Sequence, residues 1–116
     1  MMNAEQHLDL NALQDLKDIM ETEYETLVNT FITDSERKLE EMGQVVEAGD
    51  PETLRKLAHS LKGSSSNVCA LKLSELARQL ETMGKEGETS GADYALAQLK
   101  LEFSQVARIL NDSLHA

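Results

Sequence analysis

From Tyr24 to Val46 the apolar side chains return every three or four residues: Tyr24, Leu27, Val28, Phe31, Ile32, Leu39, Met42, Val45 and Val46, with Ser35 on the same stripe. That period marks one face of an α-helix, since a strand would alternate at every second position. A helix covering the stretch is about 35 Å long. One apolar face of that length needs neighbours of similar length to bury it, which confines the chain to a helical bundle. The opposite face, with Glu23, Asp34, Glu36, Arg37, Glu40, Glu41 and Glu47, is a solvated charged surface.

The rest of the chain supplies those neighbours. Gly49-Asp50-Pro51 is the clearest punctuation. Glycine suits the left-handed position that closes a helix, aspartate caps the next, and proline suits its first turn, where a missing N–H costs nothing. So short a connection makes the second and third helices antiparallel. The third runs from Pro51 to about Asn67 and bends near Asn67-Val68-Cys69. The fourth buries Leu73, Leu76, Ala77, Leu80 and Met83, and ends in the loop Gly84-Lys85-Glu86-Gly87. Ser90 with Asp93 reads as a capping box for the fifth, whose Leu96, Leu99, Phe103, Val106 and Leu110 form a bundle seam. Upstream, Asn11 with Gln14 reads as another capping box. It starts a short first helix near residue 11 or 12, with Leu10, Leu13, Leu16 and Met20, running on into the second without a strong breaker. Residues 1–8 are polar and read as a flexible lead-in. The expectation is an all-α fold, an antiparallel four-helix bundle with an additional short N-terminal helix, in one domain over residues 9–116. These helices suffice to close a core, so a monomer is expected.

Charge narrows the function classes. The chain carries 21 acids against 11 bases, a formal charge of −10, but unevenly. Residues 1–50 hold 13 acids and 3 bases, whereas residues 51–80 hold 2 acids (Glu52, Glu75) and 5 bases (Arg55, Lys56, Lys62, Lys72, Arg78). This argues against nucleic-acid binding, which needs a broad positive surface. A small anion or an acidic pocket on a partner suits the basic island better. The single cysteine, Cys69, excludes an internal disulfide and fits a reducing compartment. No stretch has the makings of a secretory leader or of a membrane span of about 20 apolar residues. A cytoplasmic protein with no membrane partner is expected.

Inside the basic island, Leu54, Leu57, Ala58, Leu61, Ser65 and Val68 share one helical stripe. His59 falls about 160° from its centre and so is aimed at solvent. Its neighbours on the helix surface are Arg55, Lys56, Lys62, Gly63 and Ser66. A glycine inside a helix costs about 1 kcal/mol relative to alanine, and here it clears one flank of the imidazole. An accessible imidazole with cations nearby suits an anionic electrophile, above all a phosphoryl group, whose transfer depends on positioning and charge stabilisation. On these residues alone, His59 is equally an ordinary surface histidine, and Gly63-Ser64-Ser65 a device for close helix packing.

The string Ala58-His59-Ser60-Leu61-Lys62-Gly63-Ser64-Ser65, followed by Asn67-Val68-Cys69-Ala70, closely resembles the signature of histidine phosphotransfer (HPt) domains. These are phosphoryl carriers of multistep phosphorelays, and the resemblance extends to chain length, helix pattern and acidity. It implies that His59 is the phosphoacceptor, that Lys62 contacts the phosphoryl group, and that Gly63 leaves room for a receiver domain. It further implies that Glu81, 22 residues after the histidine, bonds the ring Nδ1 and leaves Nε2 as nucleophile. One departure is Cys69, where the family usually has glycine. A positive φ there would strain a cysteine, and a bend without it is expected.

The resemblance thus implies a stand-alone carrier, with Met1 and the lack of a linker-like stretch in keeping. It would take a phosphoryl group from a receiver-domain aspartate and pass it to another receiver, without an ATP site, kinase activity or bound cofactor of its own. Mg²⁺ would reside on the receiver. The histidines His7, His59 and His115 lack metal-ligand spacing. One alternative is the phosphoacceptor module of a sensor kinase, but there an acidic residue usually follows the histidine, and here Ser60 does. The other is a non-phosphorylated interaction protein acting through its helical surface.

Overall fold

The computed structural model describes residues 4–115. Among them there is no strand: a 3-10 turn, Ala4–Gln6, is followed by α1 (Leu10–Met20), α2 (Glu23–Ala48), α3 (Pro51–Asn67), α4 (Leu71–Lys85) and α5 (Ala92–Ser113). Helices α2 to α5 form the four-helix bundle, each packed against its sequence neighbour, with α5 closing back on α2. The predicted stripe of α2 is inside, where Val28, Phe31, Ser35, Leu39, Met42 and Val46 are all buried. Leu54, Ala58, Leu61 and Ser65 of α3, Leu73, Ala77 and Leu80 of α4, and the α5 seam from Leu96 to Leu110 complete the core. Helix α1 is tied across one end of the bundle. Lys17 Nζ donates to the Ser113 carbonyl at 2.7 Å, and the Tyr24 hydroxyl lies 2.7 Å from Ser113 Oγ.

The α2–α3 corner follows its residues. Gly49 sits at φ 69°, and the Asp50 N–H donates back to the Val45 carbonyl. The Asp50 carboxylate then accepts from the Thr53 N–H at 3.1 Å, with Pro51 in the first turn of α3. The α3–α4 corner is built the same way, which corrects the expectation for Cys69. This residue adopts φ 63°. Its N–H donates to the Ser66 carbonyl, and the Ala70 N–H to the Ser65 carbonyl. That pair of bonds closes a helix through one left-handed residue. The hydrogen-bonding demand of the last turn of α3 overrides the preference of a cysteine for negative φ.

Four other boundaries differ from expectation. Asp9, not Asn11, caps α1, its Oδ1 accepting from the Ala12 N–H at 3.1 Å. Helix α1 does not run into α2: the chain breaks at Glu21, at φ 52°. No side chain caps α5, because Gly91 enters at φ 82° and removes Ser90 from cap position. Gly84 is not in the loop but in the last turn of α4, buried.

The lead-in also needs correction. Residues 1–3 lie outside the described residues, but Leu8 is a core residue at 2% exposure, and His7 is 4% exposed with its Nδ1 2.7 Å from Glu102 Oε2. The Asp9 N–H donates to the Cys69 carbonyl at 2.9 Å. A buried carboxylate on α5 needs a partner, and a histidine 95 residues away supplies it, which no local pattern announces.

Candidate functional site

The four residues singled out in the sequence meet on one face of the α3–α4 pair. His59 projects from α3 with its side chain 64% exposed, as its position opposite the buried stripe requires. Lys62 follows one turn on, and Gly63 beside it is exposed, with nothing within 4 Å of where a Cβ would stand. Glu81 comes from α4, and its carboxylate, only 13% exposed, spans both partners. Oε2 lies 2.7 Å from His59 Nδ1, and Lys62 Nζ donates to Oε1 at 2.7 Å.

The protonation pattern follows from this geometry. The Lys62 ammonium first, and the His59 contact after it, hold the Glu81 carboxyl below the usual range against the opposing penalty of its burial. An ionised carboxylate only accepts, so the proton between Glu81 and His59 sits on Nδ1. In the neutral ring this leaves the lone pair on Nε2, at an exposed edge of the helix pair. The arrangement can hold one imidazole tautomer and present its nucleophilic nitrogen. It also places an ammonium beside that ring.

Of the peripheral residues, Arg55 turns to Glu52, donating at 2.5 Å from Nη2, and Arg78 pairs with Glu75 at 2.6 Å. Both guanidinium pKa values are raised chiefly by those partners, with Glu81 a lesser contributor. Ser66 belongs to a small network instead. Its Oγ lies 2.8 Å from Ser74 Oγ, and both hydroxyls reach the Lys62 carbonyl, at 3.2 Å and 3.0 Å respectively. Ser74 carried no sequence signal, since a serine on a helix is common and its partner is a backbone carbonyl of another helix. Cys69 is no activated thiol: burial first, and the Asp9 charge second, push its pKa up. Among the described residues no group of three His, Cys, Asp or Glu side chains is arranged to hold a metal ion, and no helix is long and apolar enough to cross a membrane.

A family model described as the Hpt domain matches residues 26–109. Among solved structures, the chain is similar to histidine-containing phosphotransfer protein B (HptB) from Pseudomonas aeruginosa PAO1. The identity is 37% and the TM-score 0.89, over 92% of this chain and 93% of that one. It shares its fold with the histidine-containing phosphotransfer protein ZmHP2 from maize, at 23% identity and a TM-score of 0.81, over 90% and 86% of the two chains. A search of curated proteins gives no match.

Proposed function

The chain belongs to the Hpt-domain family, and on that premise we propose that it is a phosphoryl carrier of a multistep phosphorelay, with His59 as its phosphoacceptor. The observation that carries this reading is the single carboxylate of Glu81 bonded to both His59 Nδ1 and Lys62 Nζ at 2.7 Å. The Nε2 lone pair attacks the phosphorus of an aspartyl phosphate on a receiver domain. The P–O bond breaks, and its electron pair returns to the receiver carboxylate. The ring becomes an N-phosphoryl imidazolium whose Nδ1 proton stays on the bond to Glu81, so the charge that develops is met by a carboxylate already in place. Lys62 turns its ammonium to the incoming phosphoryl oxygens. Gly63 leaves the flank of the ring bare for the receiver surface. The reverse sequence delivers the group to a second receiver.

The receivers supply the aspartates and, as Mg²⁺ sites, the metal; this chain supplies a positioned imidazole and no ATP chemistry. The acidic, single-cysteine composition supports a cytoplasmic carrier. One experiment tests the reading: incubation with a ³²P-labelled receiver domain. Transfer to the wild type as acid-labile, alkali-stable phosphate, and none to His59→Gln, is expected. Equal labelling of the two proteins, or none of the wild type by any cognate receiver, overturns it.

A further inference from the structure

Glu81 keeps two partners on a neighbouring helix at once, both at 2.7 Å. Such bonds weaken steeply beyond about 3.2 Å. A glutamate with one partner can follow it by rotation, but two partners set the plane of the carboxylate as well as its position. The distance between α3 and α4 at this level therefore decides whether the bridge exists.

That distance is governed one turn away. Gly84 is buried, and a Cβ on it would stand 2.6 Å from the Pro51 carbonyl oxygen, 2.8 Å from Arg55 N and 2.9 Å from Arg55 Cβ. Two of these are backbone atoms of the first turn of α3, held by the Asp50 cap, and cannot rotate aside. Gly84 follows Glu81 by three residues and Arg55 precedes His59 by four, so the glycine contact lies about one turn from the bridge on both helices. At the other end, Ser74 Oγ reaches the Lys62 carbonyl at 3.0 Å. Both points place α4 close against α3 on either side of the bridge. Gly63, by contrast, meets nothing, so two glycines near the site do opposite work.

We propose that Gly84 is a positioning residue: by lacking a side chain it lets α4 lie close enough to α3 for Glu81 to bridge His59 and Lys62. This rests on the reading of His59 as phosphoacceptor. Restoring ordinary contact from 2.6 Å to 3.4 Å moves the backbones apart by about 0.8 Å, and a shift near 1 Å at a reacting group slows a reaction by roughly tenfold or more.

The test uses ¹⁵N-labelled, unphosphorylated protein and long-range ¹H–¹⁵N correlation of the His59 ring. The wild type is expected to show an excess of the Nδ1–H tautomer, and Gly84→Ala to lose that excess as Glu81→Ala does. Val106→Ala, a destabilised core variant on α5, keeps it. Should Gly84→Ala fold too weakly, the same substitution is read in the Cys69→Gly background. In parallel, phosphoramidate serves as donor: Nε2 bonds to phosphorus while the P–N bond breaks and ammonia leaves with the bonding pair. Gly84→Ala is expected to be slowed about tenfold or more. A wild-type tautomer in folded Gly84→Ala, or its loss in Val106→Ala as well, overturns the positioning role. A wild type that accepts no phosphoryl group on His59 instead sinks the phosphoacceptor reading and leaves the tautomer comparison intact.

Discussion

Replacing Gly63 separates what the fold needs from what a partner needs. The residue lies inside α3, exposed, with negative φ and open space where a Cβ would be. Alanine there meets no atom, so the intrinsic helix preference acts undiluted and stabilises the protein by about 0.8–1 kcal/mol. Leucine, nearly as good a helix former, gains almost as much. For a chain of this length that raises Tm by about 3–5 °C. Transfer moves the other way. Positions 59 and 63 are one turn apart, with Cβ atoms about 6 Å from each other, so a leucine at 63 stands on the approach to the ring. A receiver surface that must back away from it loses about 1–3 kcal/mol of packing, a slowing of roughly 5- to 150-fold. Urea melts followed at 222 nm give the stability, and quenched transfer from a phosphorylated receiver gives the rate. Gly63→Ala is expected to be more stable and slightly slower, and Gly63→Leu more stable and much slower. Wild-type rates in Gly63→Leu refute the steric account. Loss of stability in Gly63→Ala refutes the claim that the fold has no use for this glycine.

Three further outcomes are expected. Cys69 holds φ 63°, which costs a side-chain-bearing residue about 1–2 kcal/mol. Cys69→Gly recovers about 0.5–1 kcal/mol of this after the glycine's own entropy is counted, whereas Cys69→Ala gains nothing; equal urea midpoints for all three proteins contradict it. His7→Ala leaves Glu102 buried, with the Lys72 ammonium 3.6 Å away as the neighbouring charge, and costs about 3 kcal/mol. The double variant His7→Leu/Glu102→Leu regains most of that, and a single-variant loss under about 1 kcal/mol shows the N-terminal segment undocked. Glu81 has a folded pKa below its ordinary value of 4.5, so its contribution to stability is whole above that value and disappears as pH falls through the folded pKa. The stability gap between wild type and Glu81→Gln therefore narrows between pH 6 and pH 3 in urea melts; a gap constant over that range refutes the pairing.

Much of this protein was legible in its residue order because helices are local. The three- and four-residue steps of α2 and the Gly49-Asp50-Pro51 corner depend on side chains within a few positions of each other. So does the outward aim of His59, set by Ala58 and Leu61 on either side of it in the same helix. Capping was less legible: Asp9 outcompeted Asn11, and Gly91 displaced Ser90, because several polar residues near a helix start can each serve and packing selects among them. Contacts between helices left almost no trace. Glu81 stands out only by its family spacing, and nothing in the 21 residues between it and His59 requires its carboxylate to bridge His59 and Lys62. The positive φ of Cys69, the docking of His7 on Glu102 and the burial of Gly84 against Pro51 arise where distant backbones meet. Local residue order is thus enough for the main helices, their antiparallel order and the exposure of the histidine. Which nitrogen of that histidine is held comes from the packing of α4 against α3, because a hydrogen bond of 2.7 Å depends on how closely two helices lie, and a local pattern does not encode that distance.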